Sequence, residues 1–248
     1  MNSGGIETPD ITRPPQDLID SLKGIGSATA AGELSKLGIC NPHLQGPLPR
    51  LEGASIVGPA ITLQFLPKRE DIHKPGEYSG PERQLHRHAL YHTQPGDVVV
   101  VDARGDMMSG VFGDMMLTYF KGRGGAGVIV DGCIRDWPNV QRLEIPLWTR
   151  GFTPNFHTQT NIWPMGVNVP IGCGGVLVMP GDIIVADDDG AVVVPVDLAP
   201  ELAKKAGEHA EWEVFSRQRL LEGGDLRKYY PLTDEAREEY EAWKKKQK

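Results

Sequence analysis

Two short segments of this chain carry residue types and spacings suited to chemistry: Gly113-Asp114-Met115-Met116 and Arg135-Asp136. An Arg guanidinium is a planar fork of donors that matches a carboxylate, and an Asp carboxylate offers hard oxygen to a divalent cation. A glycine that opens a helix leaves first-turn N–H groups available to an anion. Together they read as a site for a small carboxylic acid and a divalent cation. Asp102, Asp131 and Cys133 fall at or beside the same strand ends. Small buried packing is the plainer role for Cys133. For Arg135-Asp136 the plainer alternative is a helix start, with Asp136 as side-chain cap and Arg135 in a surface ion pair.

The elements that must position these residues follow from hydrophobic patterning. Residues 98–101, four consecutive valines, form a run typical of a buried strand and end in Asp102. A Gly-rich loop then leads into a helix over 114–121. The next short apolar strand, 128–130, precedes the Arg-Asp pair, and a helix over 136–143 and a strand over 147–150 follow. Both segments therefore sit at the carboxyl ends of neighbouring strands, where open α/β sheets bind ligands. Upstream, 16–23 and 27–37 predict helices, with Ser27 or Thr29 capping the second. Residues 56–65 are β-type around Gly58-Pro59, 68–81 read as an exposed insertion, and 81–92 predict a helix. Downstream, short strands are expected at 167–169, 176–179, 183–186 and 191–194, with Asp189-Gly190 marking a hairpin. A long charged helix over 198–221 and a final helix over 234–246 close the chain. The fold class is α/β with a mixed sheet or two sheets.

The 248 residues, 40% hydrophobic and 24% charged, suit one substantial globular domain with appendages. A net charge of −7 argues against generic nucleic-acid binding. Three scattered cysteines, Cys40, Cys133 and Cys173, form no CxxC pair. A cytoplasmic protein is expected, since no apolar run approaches the roughly 20 residues that span a bilayer.

Other motifs weaken on inspection. Gly122 to Gly127 contains GxGxxG, but it follows a helix and precedes a strand, the reverse of a dinucleotide site, so a helix-end turn is the better reading. His88 and His92 have the i, i+4 spacing of a zinc pair, yet Ala89 replaces the expected Glu, and a surface or cleft role for His86, His88 and His92 is favoured. Asp187-Asp188-Asp189-Gly190 resembles a calcium loop without its ligand spacing, because Val185 fills a would-be ligand position.

The segments 96–102, 113–116, 127–136, 146–154, and 180–182 through 189–195 resemble the RraA-like family, which includes the 4-hydroxy-4-methyl-2-oxoglutarate aldolase/oxaloacetate decarboxylases. The resemblance runs over roughly residues 15–221. It implies a swivelling β/β/α domain over 16–221; residues 1–15 read as a loose arm, and 222–248 form a helical C-terminal extension that small family members lack. It also implies a homotrimer or hexamer with active sites between subunits. Carried over, the amides of Gly113, Asp114, Met115 and Met116 hold a pyruvate carboxylate, Arg135 contacts the pyruvyl group, and Asp136 anchors Mg²⁺ or Mn²⁺. The family's regulator branch, which inhibits a ribonuclease by protein contact, lacks this Asp. An acid from a neighbouring subunit's C-terminal helix corresponds to Glu211 or Glu213, and more weakly to Glu33.

The expected activity is a metal-dependent retro-aldol cleavage of a 4-hydroxy-2-oxo acid to pyruvate, with oxaloacetate decarboxylation as a related reaction. Lys121 lies outside the strand-end cluster, so no Schiff-base lysine is evident. The alternatives are a non-catalytic regulator of a ribonuclease, or another lyase or hydratase acting on a sugar-derived 2-oxo acid. Neither a nucleic-acid nor a membrane partner is expected.

Overall fold

The computed structural model describes residues 6–73, 80–156 and 161–246. Two compact units are distinguished, Met1–Pro200 and Glu201–Lys248. Their boundary falls near the start of the long C-terminal helix, whereas the sequence expectation put it after that helix.

In the first unit the chain runs through α1 (Gln16–Leu22), α2 (Ser27–Lys36), β1 (Leu48–Pro49), β2 (Ile56–Pro67), α3 (Leu85–Tyr91), β3 (Val98–Gly110), α4 (Asp114–Gly122), β4 (Gly127–Ile134), α5 (Trp137–Val140), β5 (Leu147–Phe152), β6 (Ile162–Val167), β7 (Ile171–Cys173), β8 (Val176–Val178), β9 (Ile183–Asp187) and β10 (Gly190–Val194). The main sheet has the order β1-β5-β4-β3-β2-β9-β10, with β6 also paired to β2. Strands β2 to β5 are mutually parallel. β1, β6, β9 and β10 pair antiparallel to their neighbours, so the sheet is mixed. β7 and β8 form a separate antiparallel pair.

The valine run is apolar at every position because both sheet faces are covered. Val99 and Val101 enter a core with Phe112, Leu117 and Phe120 from the α4 region. Val98 and Val100 point the other way, toward Trp148, Ile184, Val193 and Cys173. Period-two alternation divides one strand between two cores. The Trp148 indole N–H, fully buried, donates to Asp187 O at 2.9 Å, which satisfies its polar end.

Several local expectations change in the fold. The arm over 1–15 is not loose from Thr8 onward. Thr8 Oγ1 lies 2.8 Å from His92 Nε2, and Asn168 Nδ2 donates to Pro9 O at 2.8 Å. Arg13 grips the buried Asp97 at 2.7 Å. Neither Ser27 nor Thr29 caps α2: Gly26 is the N-cap, and Asp187 reaches across to accept from Ser27 N and Oγ at 2.7 and 2.6 Å. The strand expected at 167–169 lies earlier, in β6. The helix expected over 81–92 splits into a 3₁₀ turn, Pro81–Arg83, and the shorter α3. Of the expected insertion over 68–81, positions 74–79 lie outside the described residues, as do 1–5 of the arm.

The second unit holds the greater part of α6 (Ala199–Leu221), followed by α7 (Leu226–Tyr229) and α8 (Asp234–Lys246). Phe215, Leu232, Ala236 and Tyr240 form its core, with Trp212, Tyr229 and Trp243 packed around it. The apolar side of the charged helix is thus covered in part by aromatic residues of α7 and α8.

Candidate active site

The site is built where two strands run on past their apolar stretches. β4 does not stop at Val130 but continues to Ile134, and β3 continues to Gly110 through irregular pairing. Val111 N donates to Cys133 O at 3.0 Å and Arg135 N donates to Phe112 O at 2.9 Å. These two bonds stitch the loop before α4 onto the end of β4. They bring together two segments that are separated in sequence by a helix and a strand.

Gly113 is the N-cap of α4 and is buried. A Cβ added there would overlap Asp136 Oδ2 and stand 3.1 and 3.3 Å from Arg135 Nε and Nη2. A larger residue there would displace the Asp136 carboxylate: the α4 start and the Arg-Asp pair occupy one small space. Gly110 has the same role one step back, since a Cβ there would lie 2.8 Å from Arg135 Cβ and 2.7 Å from Asn155 O.

Asp136 adopts φ 59° and ψ 32°, the left-handed region, and its side chain makes no capping bond to α5. Its backbone carbonyl accepts from Asn139 N and Val140 N at 3.0 and 3.1 Å. The helix-cap alternative for this carboxylate is excluded on that geometry. A non-glycine residue held in the left-handed region stores strain, and such residues cluster at functional sites. Arg135 Nε stands 3.5 Å from Asp136 Oδ2, with the side chains 37% and 33% exposed. That pair is too open to contribute much stability. Among the described residues the Arg135 guanidinium has no other ion partner, and it lies 5.5 Å over the Phe156 ring.

Asp114 Oδ1 accepts from Met115 N at 2.8 Å, and Oδ2 accepts from Asn139 Nδ2 at 3.0 Å. One of the first-turn amides expected to receive an anion is thus taken by the residue's own neighbour. Met115 is 75% exposed, whereas Met116 packs against the core.

The two carboxylates expected at strand ends lie within β3 and β4 and have different partners. Asp131 is buried, pairs with Arg150 and accepts from Gly174 N at 3.0 Å. Asp102 is buried and accepts from Arg104 N at 3.0 Å. Burial, with Asp131 nearby, pushes its carboxyl above the usual range. Neither bonds Arg135 or Asp136, so these two aspartates hold the strands and loops around them rather than the reacting space. Cys133 is buried, with its thiol pushed up by desolvation.

The remaining motifs resolve locally. The GxGxxG stretch is the turn after α4: Gly124 has φ 80°, and a Cβ at Gly125 would overlap the Phe120 ring. His88 Nε2 lies 2.9 Å from Glu82 O, while His92 bonds Thr8, so these two histidines share no ligand. The buried His86 ring lies 6.4 Å from Phe112, just before Gly113. The Asp187–Gly190 segment is a hairpin turn, with Asp188 accepting from Gly53 N. Glu33 is buried on α2 and held by Lys36 at 2.6 Å. In the second unit Glu211 accepts from Tyr240 OH at 3.2 Å and pairs with Lys244, and Glu213 pairs with His209 at 3.2 Å.

Among the described residues no group of three or more His, Cys, Asp and Glu side chains converges as a metal cage. Asp136 fits a hard cation of another kind. Its carboxylate is free of capping duty, a third exposed, and set against Gly113. Cations of the magnesium type keep several waters and take only one or two protein carboxylates. A cavity of about 480 Å³ lies instead at the amino edge of the sheet, lined by Arg13, Ile19, Ile56, Pro95 and Pro146 among others. Its Arg13 is committed to Asp97 and Asp10, so it offers no free fork to a carboxylate.

Residues 17–193 match the family model described as RraA-like: Aldolase/RraA, and the chain belongs to the RraA-like family. A relative from Halalkalibacterium halodurans, named "Putative 4-hydroxy-4-methyl-2-oxoglutarate aldolase", is 39% identical over 158 residues, covering 64% of this chain and 68% of that protein. The crystal structure of Streptomyces coelicolor RraAS2, described as an unusual member of the RNase ES inhibitor RraA protein family, is 47% identical. It covers 84% of this chain and 99% of its own, with a TM-score of 0.77. An uncharacterized Pseudomonas syringae protein is 26% identical, with a TM-score of 0.74 over 88% of this chain and 99% of its own. The mixed α/β fold is that of this family. No helix among the described residues is long and apolar enough to cross a membrane.

Proposed function

We propose that this protein is a divalent-metal-dependent carbon–carbon lyase that cleaves a 4-hydroxy-2-oxo acid to pyruvate, with oxaloacetate decarboxylation as a related activity. The observation that carries this reading is the uncapped, left-handed Asp136 set against Gly113 and beside Arg135. Arg135 binds the carboxylate or ketone oxygens of the 2-oxo acid as a fixed positive fork. Of the amides from Gly113 through Met116, that of Met115 is held by Asp114, and those of Gly113, Asp114 and Met116 are assigned to the same anionic end. Asp136 holds the cation, Mg²⁺ or Mn²⁺. Bound there, such a cation supplies Lewis-acid stabilisation for the charge that develops when the bond next to a 2-oxo group breaks. The proposed assembly is a trimer or a dimer of trimers, with Glu211 or Glu213 of a neighbouring subunit as an added acid.

The test is pyruvate release from 4-hydroxy-2-oxo acids and oxaloacetate with Mg²⁺ or Mn²⁺, coupled to lactate dehydrogenase. Turnover that depends on added metal is expected. Arg135→Lys keeps the charge but loses the fork, and kcat/KM should fall about tenfold to hundredfold, as for charged hydrogen bonds. An unchanged kcat/KM in that variant refutes the assignment of Arg135.

The likeness to RraAS2 favours a second reading, a non-catalytic regulator of a ribonuclease. Inhibition of ribonuclease activity by the purified protein, with no turnover of any 2-oxo acid, would select it.

A further inference from the structure

We infer that Asn139 is a positioning residue of the candidate site, acting through Asp114. The inference rests on the cation and carboxylate site proposed above. Asn139 is an exposed residue on the single turn of α5, and nothing in its position along the sequence marks it as functional. In the fold it makes two bonds to the site's acidic residues. Its backbone N–H donates to Asp136 O at 3.0 Å, and its side-chain Nδ2 donates to Asp114 Oδ2 at 3.0 Å.

Asp114 is consequently held at both oxygens, one by Met115 N at the start of α4 and one by α5. A carboxylate with a single anchor samples several staggered side-chain rotamers, whereas two anchors from different elements select one. The chemistry of the second anchor matters as well. An amide donor orients the carboxylate and leaves its negative charge intact. A Lys or Arg in its place would neutralise that charge beside a site that has to attract a cation. Asn139 thus sets the direction of an anionic group one residue from Gly113 and ties it to the backbone of Asp136. A merely structural strut between α4 and α5 would affect melting and leave ligand affinity alone, which separates the two roles.

The experiment is Mn²⁺ binding to the full-length protein, followed by the loss of the free-ion electron paramagnetic resonance signal. It is run on wild type, Asn139→Ala, Asp114→Ala and the double variant, with thermal melts of each. Asn139→Ala should weaken Mn²⁺ binding about three- to tenfold, the range of one hydrogen bond, with little change in melting temperature. In the Asp114→Ala background the same change should have no further effect, because the residue it positions is gone. Equal weakening in both backgrounds, or no weakening in Asn139→Ala when wild type binds, overturns the inference alone. Failure of wild type to bind Mn²⁺ overturns the metal reading and this inference with it. Asn139→Gln, which keeps the donor, should recover part of the affinity, and an Asn139→Gln variant as weak as Asn139→Ala argues against the bond.

Discussion

Asp136 gives the sharpest test, because one residue carries both a backbone cost and a proposed charge role. A left-handed backbone costs an L-residue about 1–2 kcal/mol, and Asp and Asn tolerate it better than Ala. The side chain returns little of this. Its ion pair with Arg135 is 3.5 Å long and a third exposed, worth a few tenths of a kcal/mol, and it makes no capping bond. Asp136→Gly removes the steric cost but adds about 0.5–1 kcal/mol of unfolded-state entropy, leaving a net gain of about 0.5–1 kcal/mol. Asp136→Ala keeps the strain without the polar side chain and should lose about 1 kcal/mol. Asp136→Asn should stay within about 0.5 kcal/mol of wild type. For a unit of this size, about 2–4 °C accompanies each kcal/mol, so Gly should melt roughly 3–8 °C above Ala. All three variants should lose metal-dependent turnover. Melting temperatures from calorimetry and initial rates at saturating Mg²⁺ provide the comparison. Gly and Ala melting together would show that the position is unstrained, and full turnover in Asp136→Asn would show that the carboxylate charge is not needed.

Gly113→Ala should weaken binding of a 2-oxo acid, read by calorimetry with pyruvate, because its Cβ would displace the Asp136 carboxylate; unchanged affinity would show that the space is less tight than the geometry indicates. Arg13→Ala should cost about 3 kcal/mol by leaving the buried Asp97 unpaired, with a fall in melting temperature of roughly 6–12 °C. A loss under 2 °C would mean that the N-terminal arm contributes little. Burial raises Asp102 above the usual carboxylate range, so the folded state keeps this proton to higher pH than the unfolded chain does. Between the ordinary carboxyl range and its raised value the folded state then binds more protons, and this group's contribution to stability falls as pH rises through that raised value. The stability of Asp102→Asn relative to wild type, measured by urea melts at several pH values, should therefore improve from pH 4 to pH 7. A flat difference would refute the shift.

Some features of this protein were determined by its sequence alone. Four valines in a row require a strand with both faces covered, and the observed Val98–Val101 divide between two cores. The chain order of strand, Gly-opened helix, strand and Arg-Asp places Gly113 and Arg135 at neighbouring carboxyl edges, because parallel strands joined by a helix leave their loops on one side. Asp189-Gly190 between apolar runs is a local signal and produced its hairpin. The C-terminal helix over 234–246 could be read to its ends from charge and periodicity.

Tertiary structure alone decided the rest. The strand expected to stop at Val130 runs to Ile134, since pairing with β3 and β5 carries it through Asp131 and Gly132, two residues of low strand propensity. Asp187, read as a turn residue, caps a helix 160 positions earlier, and the arm before Pro15 is pinned by His92, Asp97 and Asn168. Long-range bonds of this kind leave no local pattern. The same reason separates Asp102 and Asp131 from the site: both lie within strands that run on past them, and Asp131 pairs with Arg150, while Asp136 lies beyond the end of β4 and is turned out by a left-handed backbone. That backbone angle and the Asn139 bond to Asp114 depend on where α4 and α5 meet, a distance that residue order does not encode.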